Sequence, residues 1–155
     1  MLYLDPRHLN RPIGEVKAWH KEILMHKAPH ILIVEDTMIA QVVLKTQMMK
    51  QGCTVDTASD GVSALNLALL THYDIILMDI GLGDGPDGFQ VAMEIKKQSK
   101  INRTTPIMAV TSHGEPEYYH KAAAAGMEGY FYKPFKPDDA KTIVDFLKNW
   151  HQLPT

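Results

Sequence analysis

The chain has 155 residues, of which 45% are apolar and 22% are charged. This length suits one domain of about 100–150 residues with a short appendage, and the composition excludes wholesale disorder and low-complexity structure. A total of 16 Lys and Arg residues against 18 Asp and Glu residues gives a net charge of −2. This balance excludes a general electrostatic attraction to nucleic acid or to an anionic membrane.

The sequence carries neither the pattern of a membrane-spanning helix nor that of a signal peptide. No apolar run approaches the roughly 20 residues that a membrane-spanning helix needs, and the first residues lack the charged-then-apolar order of a signal peptide. We therefore expect a cytoplasmic protein without membrane contact. The chain has one cysteine, Cys53, which fits a reducing compartment and is expected to be a small core residue.

Residues 1–29 differ in pattern from the rest of the chain. Ile13, Val16, His20 and Ile23 recur at helical spacing, and Pro29 ends the pattern. We predict an amphipathic linker helix here. Two interpretations remain open: a coiled-coil connector to an upstream partner or a second copy of the chain, or a helix that packs on its own domain.

From His30 onward, short apolar runs alternate with longer helical patterns, which predicts a parallel sheet with crossover helices. The predicted strands are residues 30–34, 54–57, 74–78, 107–110 and 129–132. The first helix is predicted to carry its apolar face on Ile39, Val42, Val43, Thr46 and Met49 and to stop at Gly52.

The other four helices show recognisable start and stop signals. The second opens at a predicted N-cap, Asp60; the third covers residues 89–98, and the fourth covers 117–125 and is closed by Gly126. The fifth begins at Pro137, a favoured first-turn residue. The predicted apolar positions are Val62, Leu65 and Leu69 in the second helix, and Ala140, Ile143, Val144 and Leu147 in the fifth.

Polar, reactive side chains follow four of the five predicted strands. Glu35 and Asp36 follow the first, Asp79 the third, Thr111 the fourth and Lys133 the fifth. In an open parallel sheet these positions meet at one edge. Three carboxylates repel one another unless a cation lies among them, and an all-oxygen ligand set suits Mg²⁺.

This chemistry favours phosphoryl transfer. Asp79 is a candidate nucleophile toward a phosphoryl group, as carboxylates are in aspartyl-phosphate chemistry. Lys133 and the hydroxyl of Thr111 are expected to bind the transferred oxygens, because this reaction depends on positioning and charge neutralisation.

Four stretches carry a resemblance to a known family: ILIVED (31–36), DIILMDI (74–80), PIMAVTS (106–112) and GYFYKPF (129–135). Through them, residues 30 to 149 resemble the receiver domains of two-component response regulators and hybrid histidine kinases. The resemblance implies an α/β fold, a five-stranded, doubly wound parallel sheet of flavodoxin-like order 2-1-3-4-5. We accordingly divide the chain into a linker or helical extension (1–29), a receiver domain (30–150) and a tail (151–155).

The resemblance also implies a role for each matching position. In chain order these are Glu35 and Asp36 as the acidic pair at Mg²⁺, Asp79 as phosphoacceptor, Gly81 as a metal ligand through its backbone carbonyl, Thr111 as switch hydroxyl, Tyr130 as switch aromatic, and Lys133 as phosphoryl-binding amine.

The implied function is a phosphorelay step. A histidine kinase or histidine phosphotransfer protein donates a phosphoryl group to Asp79 with Mg²⁺, and the domain signals through the face made by the fourth helix, fifth strand and fifth helix. Such a protein is a phosphoacceptor that slowly dephosphorylates itself and not a turnover enzyme. The amino-acid sequences at the ends of the first and third strands are most similar to those of receivers of hybrid histidine kinases. The alternative to such a receiver is a stand-alone regulator or a phosphorelay shuttle. A homodimer would use the same face or the N-terminal helix.

The sequence departs from the family in two places. Glu35 stands where many members have Asp, so its longer side chain is expected to reach the metal through water. After Asp79, Gly83 occupies the usual proline position and Asp87-Gly88 comes one residue late. This glycine-rich loop is expected to be mobile, and Gly81 offers no side chain to shield an acyl phosphate, so we predict a labile phosphoryl group.

Two other classes of protein share some of these features. A haloacid-dehalogenase-like phosphatase also uses a strand-end Asp with Thr, Lys and Mg²⁺, but it needs a second Asp two residues after the nucleophile, where this chain has Gly81. A binding module that works without phosphorylation is disfavoured because the site and switch positions are intact.

Overall fold

The computed structural model describes residues 27–150, in which five strands and five helices alternate. The predicted linker helix and the tail lie outside the described residues. The elements in chain order are β1 (His30–Val34), α1 (Met38–Lys50), β2 (Thr54–Ala58), α2 (Gly61–Leu70), β3 (Ile75–Met78), α3 (Gly88–Gln98), β4 (Ile107–Thr111), α4 (Pro116–Ala124), β5 (Gly129–Tyr132) and α5 (Pro137–Trp150).

The strands form one parallel sheet in the order β2-β1-β3-β4-β5, which confirms the predicted fold. The register pairs Val34 with both Ala58 and Met78, and Thr111 with Tyr132. Every strand therefore ends at the same edge. Strand bounds differ from the predicted ones by at most one residue; β4, for example, includes Thr111.

Helices cover both faces of the sheet, so the strands are buried on both sides. Alternate residues of β1 show the division: Leu32 packs in a cluster with residues of α2, α3 and α4. Ile33 packs in a second cluster with residues of α1 and α5. Ile143 of α5 is fully buried there, a burial that stabilises by roughly 1.5–3 kcal/mol relative to exposure.

The predicted apolar face of α1 is wrong. Ile39 is 82% exposed and Val42 57%, whereas the buried residues of the helix are Leu44 and Met48. Apolar side chains lie on both sides of α1, so helical spacing does not determine which side meets the sheet.

The predicted apolar face of α2 is also wrong at Val62 and Leu69, which are both exposed. The buried residues of α2 are small, namely Gly61, Ala64 and Ala68. At Gly61 an added Cβ would lie 2.5 Å from a methyl carbon of Val91 in α3. The helices therefore pack too closely there for a larger side chain.

The predicted helix ends are confirmed. Asp60 caps α2 by accepting a hydrogen bond from the Ser63 amide at 2.7 Å. Gly52 and Gly126 adopt positive φ values of 87° and 82° after α1 and α4, a conformation that glycine adopts without strain. α5 begins at Pro137. Within residues 27–150, none of the helices has the length and apolar character to span a membrane.

Candidate functional site

Three carboxylates meet at the carboxyl edge of the sheet. Glu35 and Asp36 follow β1, and Asp79 follows the adjacent strand β3. One carboxylate oxygen of each residue lies within 4.8 Å of the other two. Glu35 is fully buried and Asp79 is 7% exposed, whereas Asp36 is exposed. The structure thus brings together the acidic residues that the sequence predicted at this edge.

Lys133, which follows β5, places its ammonium group between two of these acids. The Nζ atom lies 2.5 Å from Oε2 of Glu35 and 3.1 Å from Oδ2 of Asp79. Burial by itself would lower the pKa of Lys133, but its hydrogen bonds and charge interactions with the two carboxylates outweigh burial, and the pKa is raised. The amine is therefore a fixed positive charge at neutral pH.

Glu35 has partners on both carboxylate oxygens. Oε2 accepts from Lys133, and Oε1 accepts from the backbone amide of Thr37 at 3.1 Å and from its hydroxyl at 3.2 Å. Thr37 is the N-cap of α1, and the sequence analysis did not select it. Asp36, which is exposed, is the most accessible to solvent of the three acids. Partial desolvation and the neighbouring Glu35 raise the pKa of Asp36.

The loop after β3 contacts the acids through its glycines. The Gly81 amide donates to Oδ1 of Asp79 at 3.2 Å, and the role of its carbonyl as a metal ligand stays a prediction. A Cβ added to Gly81 would meet no atom within 4 Å. Gly83, with a positive φ of 69°, passes so close that an added Cβ would lie 3.3 Å from Oδ2 of Asp36. A side chain at position 81, next to Asp79, would therefore meet no steric obstacle at its Cβ.

Thr111 and Tyr130, the predicted switch residues, both contact the backbone of His113. Thr111 is buried at the end of β4, and its hydroxyl oxygen accepts from the His113 amide at 3.2 Å. The hydroxyl of half-buried Tyr130 donates to the His113 carbonyl at 2.5 Å. His113 is exposed, and its ring stacks on that of Tyr118 with the ring centroids 4.6 Å apart. Its backbone physically links the hydroxyl to the aromatic side chain.

Comparison with known proteins identifies the family. Residues 31–145 match the response regulator receiver domain model, and the chain belongs to this family. It is 29% identical over 149 residues to sensor protein EvgS of Escherichia coli strain K12, covering 96% of this chain and 12% of EvgS. It is 33% identical over 118 residues to sensor histidine kinase AruS of Pseudomonas aeruginosa, covering 76% of this chain and 12% of AruS. The chain therefore spans about an eighth of these relatives.

Solved structures show the same architecture. The receiver domain of sensor histidine kinase PA1611 from Pseudomonas aeruginosa PAO1, solved with a magnesium ion coordinated in its active site cleft, is 32% identical with a TM-score of 0.72. The match covers 79% of this chain and 99% of that one. Chemotaxis protein CheY4 of Vibrio cholerae matches with a TM-score of 0.70 and 27% identity, covering 78% of this chain and 99% of CheY4.

Proposed function

We propose that this chain accepts a phosphoryl group on Asp79 from a phosphohistidine of a histidine kinase or histidine phosphotransfer protein. The observation that carries the proposal is the Asp79 carboxylate, bonded to Lys133 within a cluster of three acids at the sheet edge. An oxygen of Asp79 bonds to phosphorus as the phosphorus–nitrogen bond of the donor breaks. The leaving imidazole keeps the bond electrons and takes up a proton.

The acidic cluster fits Mg²⁺. Its donor atoms are carboxylate oxygens within 4.8 Å of one another. The Lys133 ammonium group bonds two of these acids, Glu35 and Asp79, so the three carboxylates outnumber the positive charge that pairs with them. Hard oxygen donors are the ligands that Mg²⁺ prefers. Asp36, Asp79 and the Gly81 carbonyl would hold the ion, with Glu35 acting through water. When bound, Mg²⁺ supplies positive charge that offsets the charge of the incoming phosphoryl group.

The remaining site residues would bind the product and transmit the signal. Lys133, already 3.1 Å from Asp79, would bond a phosphoryl oxygen, and the Thr111 hydroxyl would bond another. Drawing Thr111 toward the phosphoryl group would strain its bond to the His113 amide. Because Tyr130 is bonded to the same residue, the change would reach the face formed by α4, β5 and α5.

The context we favour is the receiver of a hybrid histidine kinase, since EvgS and AruS are sensor proteins of this chain's family. A stand-alone regulator or a phosphorelay shuttle is the alternative. Homodimerisation, slow self-dephosphorylation without turnover, and the cytoplasmic location stay predictions.

Intact-protein mass spectrometry tests the proposal after incubation with acetyl phosphate and Mg²⁺. The wild type is expected to gain one phosphoryl group and Asp79→Ala none. Asp84→Ala, which removes an exposed carboxylate from the same loop, is the matched control and is expected to gain one. Chelation of Mg²⁺ is expected to abolish uptake. An unmodified wild type would support a phosphorylation-independent binding module instead, and a modified Asp79→Ala variant would exclude Asp79 as the acceptor.

A separate assay addresses the phosphatase alternative. A haloacid-dehalogenase-like enzyme needs a general acid two residues after its nucleophile, and Gly81 offers none. We expect hydrolysis of p-nitrophenyl phosphate by the wild type to equal that of Asp79→Ala. Multiple turnovers that depend on Asp79 would establish an enzyme.

A further inference from the structure

A groove of about 510 Å³ lies between α3 and α4, beside the loop that follows β3. Apolar side chains of both helices line it, among them Phe89 and Met93 of α3 and Ala124 of α4. Its volume lies within the range of about 300–1,000 Å³ that is usual for small-molecule sites. We refer to it as the α3–α4 groove. The phosphoryl chemistry proposed above uses none of these three residues.

Lys121 of α4 supplies a positive charge to the groove. Its Nζ atom lies 5.5 Å from the centre of the Tyr118 ring, and both residues line the groove. Within residues 27–150, Lys121 forms no ion pair with a carboxylate. Asp87 also lines the groove, but its carboxylate accepts from the Gln90 amide at the start of α3, where the positive end of the helix offsets its charge. An anionic group in the groove would therefore meet an ammonium group that has no ion-pair partner.

The apolar lining suits an aromatic ligand. Met93 is 47% exposed, so a ligand can reach its thioether. Phe89 stacks with Tyr118 at 6.3 Å between ring centroids. Aromatic rings and thioether sulfur atoms both make favourable contacts with an added aromatic ring. The groove thus combines an apolar surface for a ring with a single cation for an acidic group.

We propose that the α3–α4 groove binds a small aromatic molecule that carries one negatively charged group. The ring would pack against Phe89 and Met93, and the acidic group would bond Nζ of Lys121. Binding does not require a phosphoryl group on the protein. Failure of this proposal and failure of the proposed function can therefore be distinguished.

A bound molecule would lie next to the acceptor, because Gly81 and His113 also line the groove. The space beside Gly81 is open, since an added Cβ would meet no atom within 4 Å. A ligand there would restrict the access of water to a phosphoryl group on Asp79. This consequence rests on the proposed function: a saturating ligand is expected to lengthen the half-life of phospho-Asp79 by at least about twofold. Equal half-lives with and without ligand would overturn the consequence.

An NMR titration of the full chain tests the site, with naphthoate as the probe and naphthylmethanol as its neutral counterpart. We expect saturable shifts at the amides of Phe89, Met93 and Ala124. The dissociation constant should be at least about fivefold lower for the acid than for the alcohol, because only the acid forms a charge-assisted bond. Lys121→Met should remove this preference. Lys45→Met, at an exposed position on α1 among exposed apolar residues, is the matched control and should keep it.

A pair of tryptophan variants tests the position of the ligand. Ala124→Trp fills the groove and should weaken naphthoate binding by at least about tenfold. Ala123→Trp, at the adjacent exposed position outside the groove, should bind as the wild type does. A dispersed amide spectrum would show that each variant folds. Absence of shifts at the groove amides, shifts centred on α1, equal binding by the two tryptophan variants, or equal affinity for the acid and the alcohol would overturn the proposal.

Discussion

Glu35 illustrates how single residues define this site. Its carboxylate is fully buried, and a buried charge is tolerated only when it is paired and hydrogen-bonded. Lys133 supplies the charge, and Thr37 supplies two further hydrogen bonds. The same lysine also bonds Asp79, so one ammonium group serves both the stability of the fold and the proposed chemistry.

Replacing Lys133 with Met is therefore expected to destabilise the domain. Lys133→Met keeps the length of the side chain but leaves Glu35 buried without a counter-charge, which we expect to lower the free energy of unfolding by about 1–3 kcal/mol. Urea denaturation measures the change. Lys136→Met, at an exposed position, is the control and should change stability by less than about 0.5 kcal/mol. Equal stability of the two variants would show that Glu35 does not need this partner.

Gly81 bears on the lifetime of the phosphoryl group, so this prediction rests on the proposed function. Because the space beside its Cα is open and its φ is not positive, a larger side chain fits there. Gly81→Leu is expected to lengthen the half-life of phospho-Asp79 by roughly threefold or more, since the side chain would keep water from the acyl phosphate. Loss of the phosphoryl group is followed by intact mass after the donor is removed.

A matched variant separates shielding from backbone effects. Gly81→Ala stiffens the backbone in the same way but adds only a methyl group, so its half-life should stay near that of the wild type. A wild-type half-life of many hours would contradict the prediction of a labile group.

At the scale of elements, α3 owes its start to a reciprocal cap. The Asp87 carboxylate accepts from the Gln90 amide at 2.9 Å, and the Gln90 side chain accepts from the Asp87 amide at 3.0 Å. Asp87 comes one residue later than the family pattern places it, and this cap gives the displaced residue a structural role. Asp87 thereby fixes where the glycine-rich loop ends and α3 begins.

Removing this cap is expected to cost about 1 kcal/mol of folding free energy. Asp87→Ala leaves the Gln90 amide without its side-chain acceptor, and urea denaturation would show the loss. Asp84→Ala, an exposed position in the same loop, is expected to leave the transition midpoint unchanged. Similar midpoints for the two variants would mean that solvent caps α3 equally well.

Helix patterns predicted the packing of some elements and not of others, for a physical reason. In α5 the predicted residues Ala140, Ile143 and Leu147 are buried because its opposite side is polar. In α1 both sides are apolar, and in α2 the close approach to α3 selects small residues such as Ala64 over Val62. Which side of α1 or α2 is buried depends on tertiary contacts, and the spacing of apolar residues in the sequence gives no information on those contacts.

At the scale of the whole molecule, the sheet order and the meeting of the acids with Lys133 could be predicted because strand ends converge by topology. The contacts that complete the site could not. The Thr37 amide binds Glu35, and the His113 backbone links Thr111 to Tyr130. Every residue except proline has both of these backbone groups, so the identity of a residue carries almost no signal for such contacts.

Alkaline stability of the molecule depends on groups that hold a proton more tightly when folded. Burial, followed by the charge of Asp74, raises the pKa of Cys53 to about 11. Burial and a hydrogen bond to Asp56 raise the pKa of Tyr73 well above its usual range, and the pKa of Lys133 is also raised. Their ordinary values are about 8.5, 10 and 10.4.

Because the unfolded chain loses each of these protons first, the free energy of unfolding is expected to fall as pH rises. The stabilisation is complete below about pH 8.5, begins to be lost as the unfolded cysteine ionises, and declines most steeply above about pH 10. Urea denaturation between pH 7 and 11 measures the slope. Tyr73→Phe removes one titrating group and should flatten the curve above about pH 10 by up to roughly 1.4 kcal/mol per pH unit. Parallel curves for the wild type and Tyr73→Phe would show that Tyr73 ionises alike in the folded and unfolded chain.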